Sequence, residues 1–203
     1  MGRAHSPPFH TEKKKAAPMG IDYDAKRAGY ELRSAVSLSV RRTKRTKNIA
    51  TSKKDQMTFE IVPRLFLGSA TDAEHASTDV KLVVNCTKNL PFFSSSDLVH
   101  QIRVPVDDSP DECDTIVQYW IDPELFDAID DHIVQGHDVL VHCQMGRQRS
   151  AATVVAYLLR RGWSLTRAIA FVKSRKIDAF FPEVNFMDAL VKFNGHLHKL
   201  VCV

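Results

Sequence analysis

The chain has 203 residues, 44% apolar and 26% charged, enough for one domain with a sizeable core plus an appendage. It holds no run of about 18 apolar residues, no apolar leader, no CxxC pair and no zinc-finger histidine spacing, so no membrane span, secretion signal or metal site is expected. Its four cysteines, Cys86, Cys113, Cys143 and Cys202, are then expected as free thiols in a reducing, intracellular compartment, cytoplasmic or nuclear.

The net charge of +4 combines two unlike parts. Residues 1–56 carry 14 Lys and Arg against five Asp and Glu, whereas residues 57–203 carry 14 against 19. The first part has few large apolar side chains and no sustained periodicity. It cannot bury enough surface to offset the entropy of ordering, and is expected to be largely disordered. Its densest basic patch lies between Arg41 and Lys54. That patch reads as a solvated tail, a nuclear-import signal, a nucleic-acid contact or a docking arm for an acidic partner surface.

From residue 57 to 203, short apolar runs alternate with helical patterns, which predicts an α/β domain. Strands are expected at residues 59–62, 65–67, 81–85, 101–106 and 138–142. A helix starts with Asp122 as N-cap and Pro123 at its first position, and stops at Gly136. A second spans residues 149–161 and stops at Gly162. A third follows Ser164 as N-cap, with Leu165, Ala168, Ile169 and Val172 on one face. A last helix follows Pro182, with Phe186, Leu190 and Phe193 facing inward.

The chemistry concentrates where the strand at 138–142 meets the second helix. The run Val139-Leu140-Val141-His142-Cys143-Gln144-Met145-Gly146-Arg147-Gln148-Arg149-Ser150 reads as buried strand, short loop and helix start. The C-terminal end of a strand is where open α/β sheets bind ligands. A loop entering a helix N-terminus there aims backbone N–H groups at one point, a nest for a dianion such as phosphate. The thiolate is the reactive form of cysteine, and a helix N-terminus with a nearby cation favours it. Arg149, six residues after Cys143, can return over the same point and grip two phosphate oxygens at once, which Lys cannot. Gly146 supplies the backbone freedom such a turn needs.

The segment from His142 to Ser150 resembles the phosphate loop of the protein tyrosine phosphatase superfamily. Ala156-Tyr157-Leu158-Leu159 resembles the following helix of its dual-specificity members. The likeness continues in the segments 61–70, 83–91, 104–108, 171–175 and 185–187, and covers about residues 57–200. It implies a protein tyrosine phosphatase-like fold, a central and mostly parallel sheet flanked by helices, with no cofactor. It implies Cys143 as nucleophile, Arg149 and the amides of Gln144, Met145, Gly146, Arg147 and Gln148 as the phosphate grip, and an aspartate as general acid. By resemblance that acid is Asp108, although Asp107, Asp111 and Asp114 are close enough in sequence to compete. Ser150 would hydrogen-bond the departing thiolate, and His142 would orient the loop from behind. Cys86, at the end of another strand, matches either a core position or the partner of a protective disulfide with Cys143.

The implied substrates are phosphotyrosine and phosphoserine or phosphothreonine in proteins. Gln148 departs from the serine usual before the loop arginine and resembles the amide of RNA 5′-triphosphatase relatives. An RNA-directed reading therefore stays open, as do a phosphoinositide phosphatase and a non-enzymatic phosphate-binding module.

Overall fold

The computed structural model describes residues 58–93 and 98–201. The basic segment 1–56, its patch between Arg41 and Lys54, and Cys202 lie outside the described residues. Among those described, strands β1 (Phe59–Val62), β2 (Leu65–Gly68), β3 (Val80–Asn85), β4 (His100–Arg103) and β5 (Asp138–His142) form one sheet in the order β1-β2-β5-β3-β4. Only the β1–β2 pair is antiparallel. The mostly parallel α/β sheet agrees with the expectation from the sequence.

The helices are α1 (Ala70–Glu74), α2 (Cys113–Ile121), α3 (Pro123–Val134), α4 (Arg149–Arg160), α5 (Leu165–Arg175) and α6 (Met187–Val201). β5 lies at the centre of the sheet, and its Val139, Leu140 and Val141 are wholly buried. A strand covered on both faces reads as such a continuous apolar run. Val139 and Val141 join the main core with Leu65, Leu67, Leu82 and Val84, while Leu140 packs with Val83 and Ala73 on the α1 side. α4 is buried from Ser150 to Leu159, as expected of a helix that is apolar all round.

Local signals account for most boundaries. Asp122 caps α3 by accepting the Glu124 N–H at 2.9 Å, with Pro123 at the first helical position. Ser164 occupies the N-cap of α5, but its hydroxyl makes no capping bond. The strand expected over 101–106 instead ends at Arg103. Val104 still donates to the Asn85 carbonyl at 3.0 Å, but Pro105 has no N–H to carry the ladder on. Two helices escaped the sequence reading. α1 is short, although Ser69 and Asp72 form a capping box at its start. α2 follows an acid-rich stretch that reads as loop, and its buried Ile116, Val117 and Trp120 hold it on the core.

The topology has one consequence for function. In the parallel register, His142 of β5 sits between Gly68 of β2 and Asn85 of β3. The next residue of each strand, Cys143, Ser69 and Cys86, therefore leaves the same edge of the sheet.

Candidate active site

Cys143 emerges from β5 with 1% of its surface exposed. The loop 143–148 then turns into α4 at Arg149. The turn is tightest at Gly146, whose φ is +68°, and a Cβ there would lie 2.6 Å from the Gly68 carbonyl oxygen. Both the backbone conformation and the contact exclude a side chain. The loop is further pinned where Ala70 donates its N–H to the Gln144 carbonyl at 3.2 Å. β2 and the start of α1 thus back the loop, and the side chains of Gln144 and Met145 project outward, exposed.

Ser150, fully buried in the first turn of α4, donates its hydroxyl to Cys143 Sγ at 3.2 Å. His142 is fully buried behind the loop, and burial pushes its imidazole down to about 4, with the Cys143 backbone offsetting this only in part. The ring is therefore neutral at physiological pH.

Arg149 opens α4 with 11% of its side chain exposed. Its Nη1 donates to the Val106 carbonyl at 3.3 Å, and its Nη2 lies 3.9 Å from Asp108 Oδ2. The segment after β4 thereby brings Asp108 beside Arg149 at the end of the loop 143–148. The competing acids are engaged elsewhere or turned outward. Asp107 pairs with Lys88 at 2.7 Å, as Asp114 does with Lys192. Asp111 is exposed in the helical turn 110–112, next to Ser109.

Two loop side chains bond to the segment 178–185. Arg147 Nε donates to Asp178 at 2.9 Å. Gln148, 5% exposed, donates from Nε2 to the carbonyls of Phe181 at 3.3 Å and Glu183 at 2.7 Å. Its Oε1 accepts the Asn185 N–H at 3.2 Å. The amide that suggested an RNA-directed site is spent on the backbone of residues 181–185.

Cys86 is fully buried and lies across the sheet edge from Cys143. Its N–H donates to the His142 carbonyl at 2.8 Å, and its thiol contacts Thr153 Oγ1 at 3.6 Å. Burial pushes that thiol up to about 12. Thr153 also accepts from Trp120 and donates to the Arg149 carbonyl. Sequence reasoning singled out neither Thr153 nor Asp178, and Asn185 only as part of the segment 185–187, because the contacts of Trp120 with Thr153, Arg147 with Asp178 and Asn185 with Asp108 join positions distant along the chain.

A buried cysteine beneath a helix-entering loop, with an arginine opening that helix at the edge of a parallel sheet, is the architecture of a cysteine-based phosphatase domain. The family model described as "Dual specificity phosphatase, catalytic domain" matches residues 65–196. The chain belongs to the dual specificity phosphatase family. It is 36% identical over 148 residues to human Dual specificity phosphatase 28, covering 70% of this chain and 81% of that one. It is 34% identical over 144 residues to human Dual specificity protein phosphatase 9, covering 68% of this chain but 36% of that longer protein. The crystal structure of human DUSP28 superposes with a TM-score of 0.62 at 34% identity, covering 71% of this chain and 99% of that one.

Proposed function

We propose that this protein removes phosphate from phosphotyrosine and phosphoserine or phosphothreonine in other proteins, through a phosphocysteine on Cys143. The Cys143 thiolate attacks phosphorus in line. The bond to the ester oxygen breaks as Asp108 gives that oxygen its proton. Arg149 and the loop N–H groups take up the charge developing on the three equatorial oxygens. Asp108, now a carboxylate, takes a proton from water, whose oxygen attacks phosphorus. The P–S bond breaks, and the Ser150 hydroxyl receives the returning thiolate.

One observation favours a protein substrate: of the ion pairs around the loop among the described residues, that of Arg149 with Asp108 is the loosest, at 3.9 Å. Asp178 holds both Arg147 and Lys176, and Asp107 and Glu112 hold Lys88. Asp107, Asp108 and Asp111 are exposed along the segment that carries Asp108. A polyanionic substrate needs several unpaired cations and is disfavoured by such an acidic stretch, whereas a single phosphate on a polypeptide needs one cation and the nest. The test is a panel of phosphotyrosyl and phosphoseryl peptides, 5′-triphosphorylated RNA and phosphoinositide vesicles. Phosphate release from the peptides is expected to dominate. Turnover confined to RNA or to the vesicles would overturn the reading, and vanadate-insensitive binding without turnover would leave the binding module.

Cys86 supports a second role in the same proposal. Neighbouring strands lie about 4.8 Å apart, within the Cα separations a disulfide spans. After a peroxide pulse converts Cys143 to a sulfenic acid, Cys86 displaces water and closes a bridge. The attacking species is the thiolate. With the Cys86 thiol held near 12, its thiolate fraction rises with pH throughout the ordinary range. Bridge closure followed by peptide mapping is expected to accelerate about tenfold per pH unit between roughly 7 and 9. Recovery of Cys143 only as sulfinic acid would count against the bridge.

The patch between Arg41 and Lys54 fits a docking or nuclear-import contact in a cytoplasmic or nuclear protein. Nucleic acid fits less well, given the acidic stretch that carries Asp108. Deleting residues 1–56 and following localisation and turnover separates these uses. Among the described residues, no helix is long and apolar enough to cross a membrane.

A further inference from the structure

We propose that Asn185 is a positioning residue, which aims the Asp108 proton at the leaving group, and that Gln148 ties this aim to the phosphate loop. The inference rests on Asp108 serving as the general acid. Asp108 lies on a loop segment between β4 and the turn at 110–112, with 39% of its side chain exposed. A side chain so placed is free to choose rotamers, and only a fraction of those face the phosphate.

Asn185 removes that freedom. Its Nδ2 donates to Asp108 Oδ1 at 3.2 Å. An ionised carboxylate only accepts, so the amide must present its nitrogen there. The other oxygen, Oδ2, is the one 3.9 Å from Arg149 Nη2, on the side where the phosphoryl group is gripped. Once Oδ1 holds the Asn185 hydrogen, a proton arriving there would set two hydrogens against each other. The acid proton is thereby directed to Oδ2. The leaving oxygen takes it when the P–O bond breaks, and Asp108 is left as a carboxylate still held by Asn185.

Asn185 is itself held from two directions. Its N–H donates to Gln148 Oε1 at 3.2 Å, and its carbonyl accepts a weak bond from the Cys113 thiol at 4.0 Å. Gln148 is buried and precedes Arg149 directly, and its Nε2 also binds the Phe181 and Glu183 carbonyls. The loop that grips the phosphate thus also places the residue that aims the acid. A chain reaching Asp108 from the far side of the site gives both groups one common frame.

The test compares two aryl phosphates in Asn185→Ala. Phenyl phosphate needs a proton on its leaving oxygen; difluoromethylumbelliferyl phosphate loses a stabilised anion and does not. Asn185→Ala is expected to lower kcat/KM about tenfold on phenyl phosphate, a part of the roughly 10²–10⁴-fold that general acid catalysis supplies. It should leave the activated substrate and vanadate inhibition nearly unchanged. Asn185→Asp, which places two carboxylates face to face, should lose at least as much on phenyl phosphate. In an Asp108→Asn background, Asn185→Ala should cost nothing further. Equal losses on both substrates, or full additivity with Asp108→Asn, would make Asn185 a packing residue and overturn the proposal. If Asp108→Asn discriminates between the substrates and neither Asn185 variant does, the positioning role alone falls. If Asp108→Asn treats both alike while Asp111→Asn discriminates, the acid assignment falls and takes the positioning role with it.

Discussion

Replacing Cys143 by serine is expected to abolish phosphate release while phosphate binding survives. Serine has nearly the shape of cysteine, so the Ser150 hydroxyl that reaches Sγ at 3.2 Å keeps a partner. Gly146 still packs on the Gly68 carbonyl, and Arg149 still opens α4. What disappears is the nucleophile. The sulfur of cysteine is the stronger nucleophile, whereas the alcohol of serine attacks phosphorus only with a base to take its proton. By analogy with other enzymes that lose a nucleophile, the rate should drop roughly 10⁵-fold or more. Phosphate release from a phosphotyrosyl peptide measures this directly. Turnover retained in Cys143→Ser would remove the phosphocysteine mechanism altogether. Because the cradle stays intact, the same variant used as a trap in a native lysate retains its substrate, and the trapped species reports whether it is protein, RNA or lipid.

Arg149→Lys is the second large effect. Lysine keeps the charge, so a purely Coulombic site would tolerate it. The geometry requires more than charge. The guanidinium is nearly buried, its Nη1 is anchored on the Val106 carbonyl, and its Nη2 reaches toward Asp108. Two parallel donors are what match the equatorial oxygens of a transferring phosphoryl group. Losing that fork resembles losing an oxyanion-hole donor, and kcat is expected to fall roughly 10²–10³-fold. The anchor on Val106 also helps hold the segment that carries Asp108, so the loss should be greatest on substrates with poor leaving groups. Measuring kcat and KM separately decides the matter. A raised KM with unchanged kcat would mean that Arg149 binds ground state and transition state alike.

Most of the fold was legible because its signals are local. The buried run of β5, the Asp122-Pro123 start of α3 and the inward Phe186, Leu190 and Phe193 at α6 each occupy a few consecutive turns or pleats. The failures were local ambiguities settled by packing. α2 has the acidic lead-in of a loop, yet Ile116, Val117 and Trp120 are buried. β4 ended early because one proline broke the ladder. At the candidate site, the lesson of Gln148 is sharper. Its chemistry suggested a substrate contact, and its burial and three hydrogen bonds point it into the protein instead.

The strand, loop and helix that carry Cys143 and Arg149 follow from local chain geometry. Their spacing and Gly146 act within one turn of chain, where covalent geometry leaves few choices. Long-range packing, by contrast, is what sets Asp108 next to Arg149 and Asn185 next to Asp108. Asp108 meets Asn185 across 77 residues, and Gln148 meets Asn185 across 37. No local periodicity encodes such pairs. They exist because a parallel sheet delivers its strand ends to one edge, and because buried amides must find partners once the core has closed.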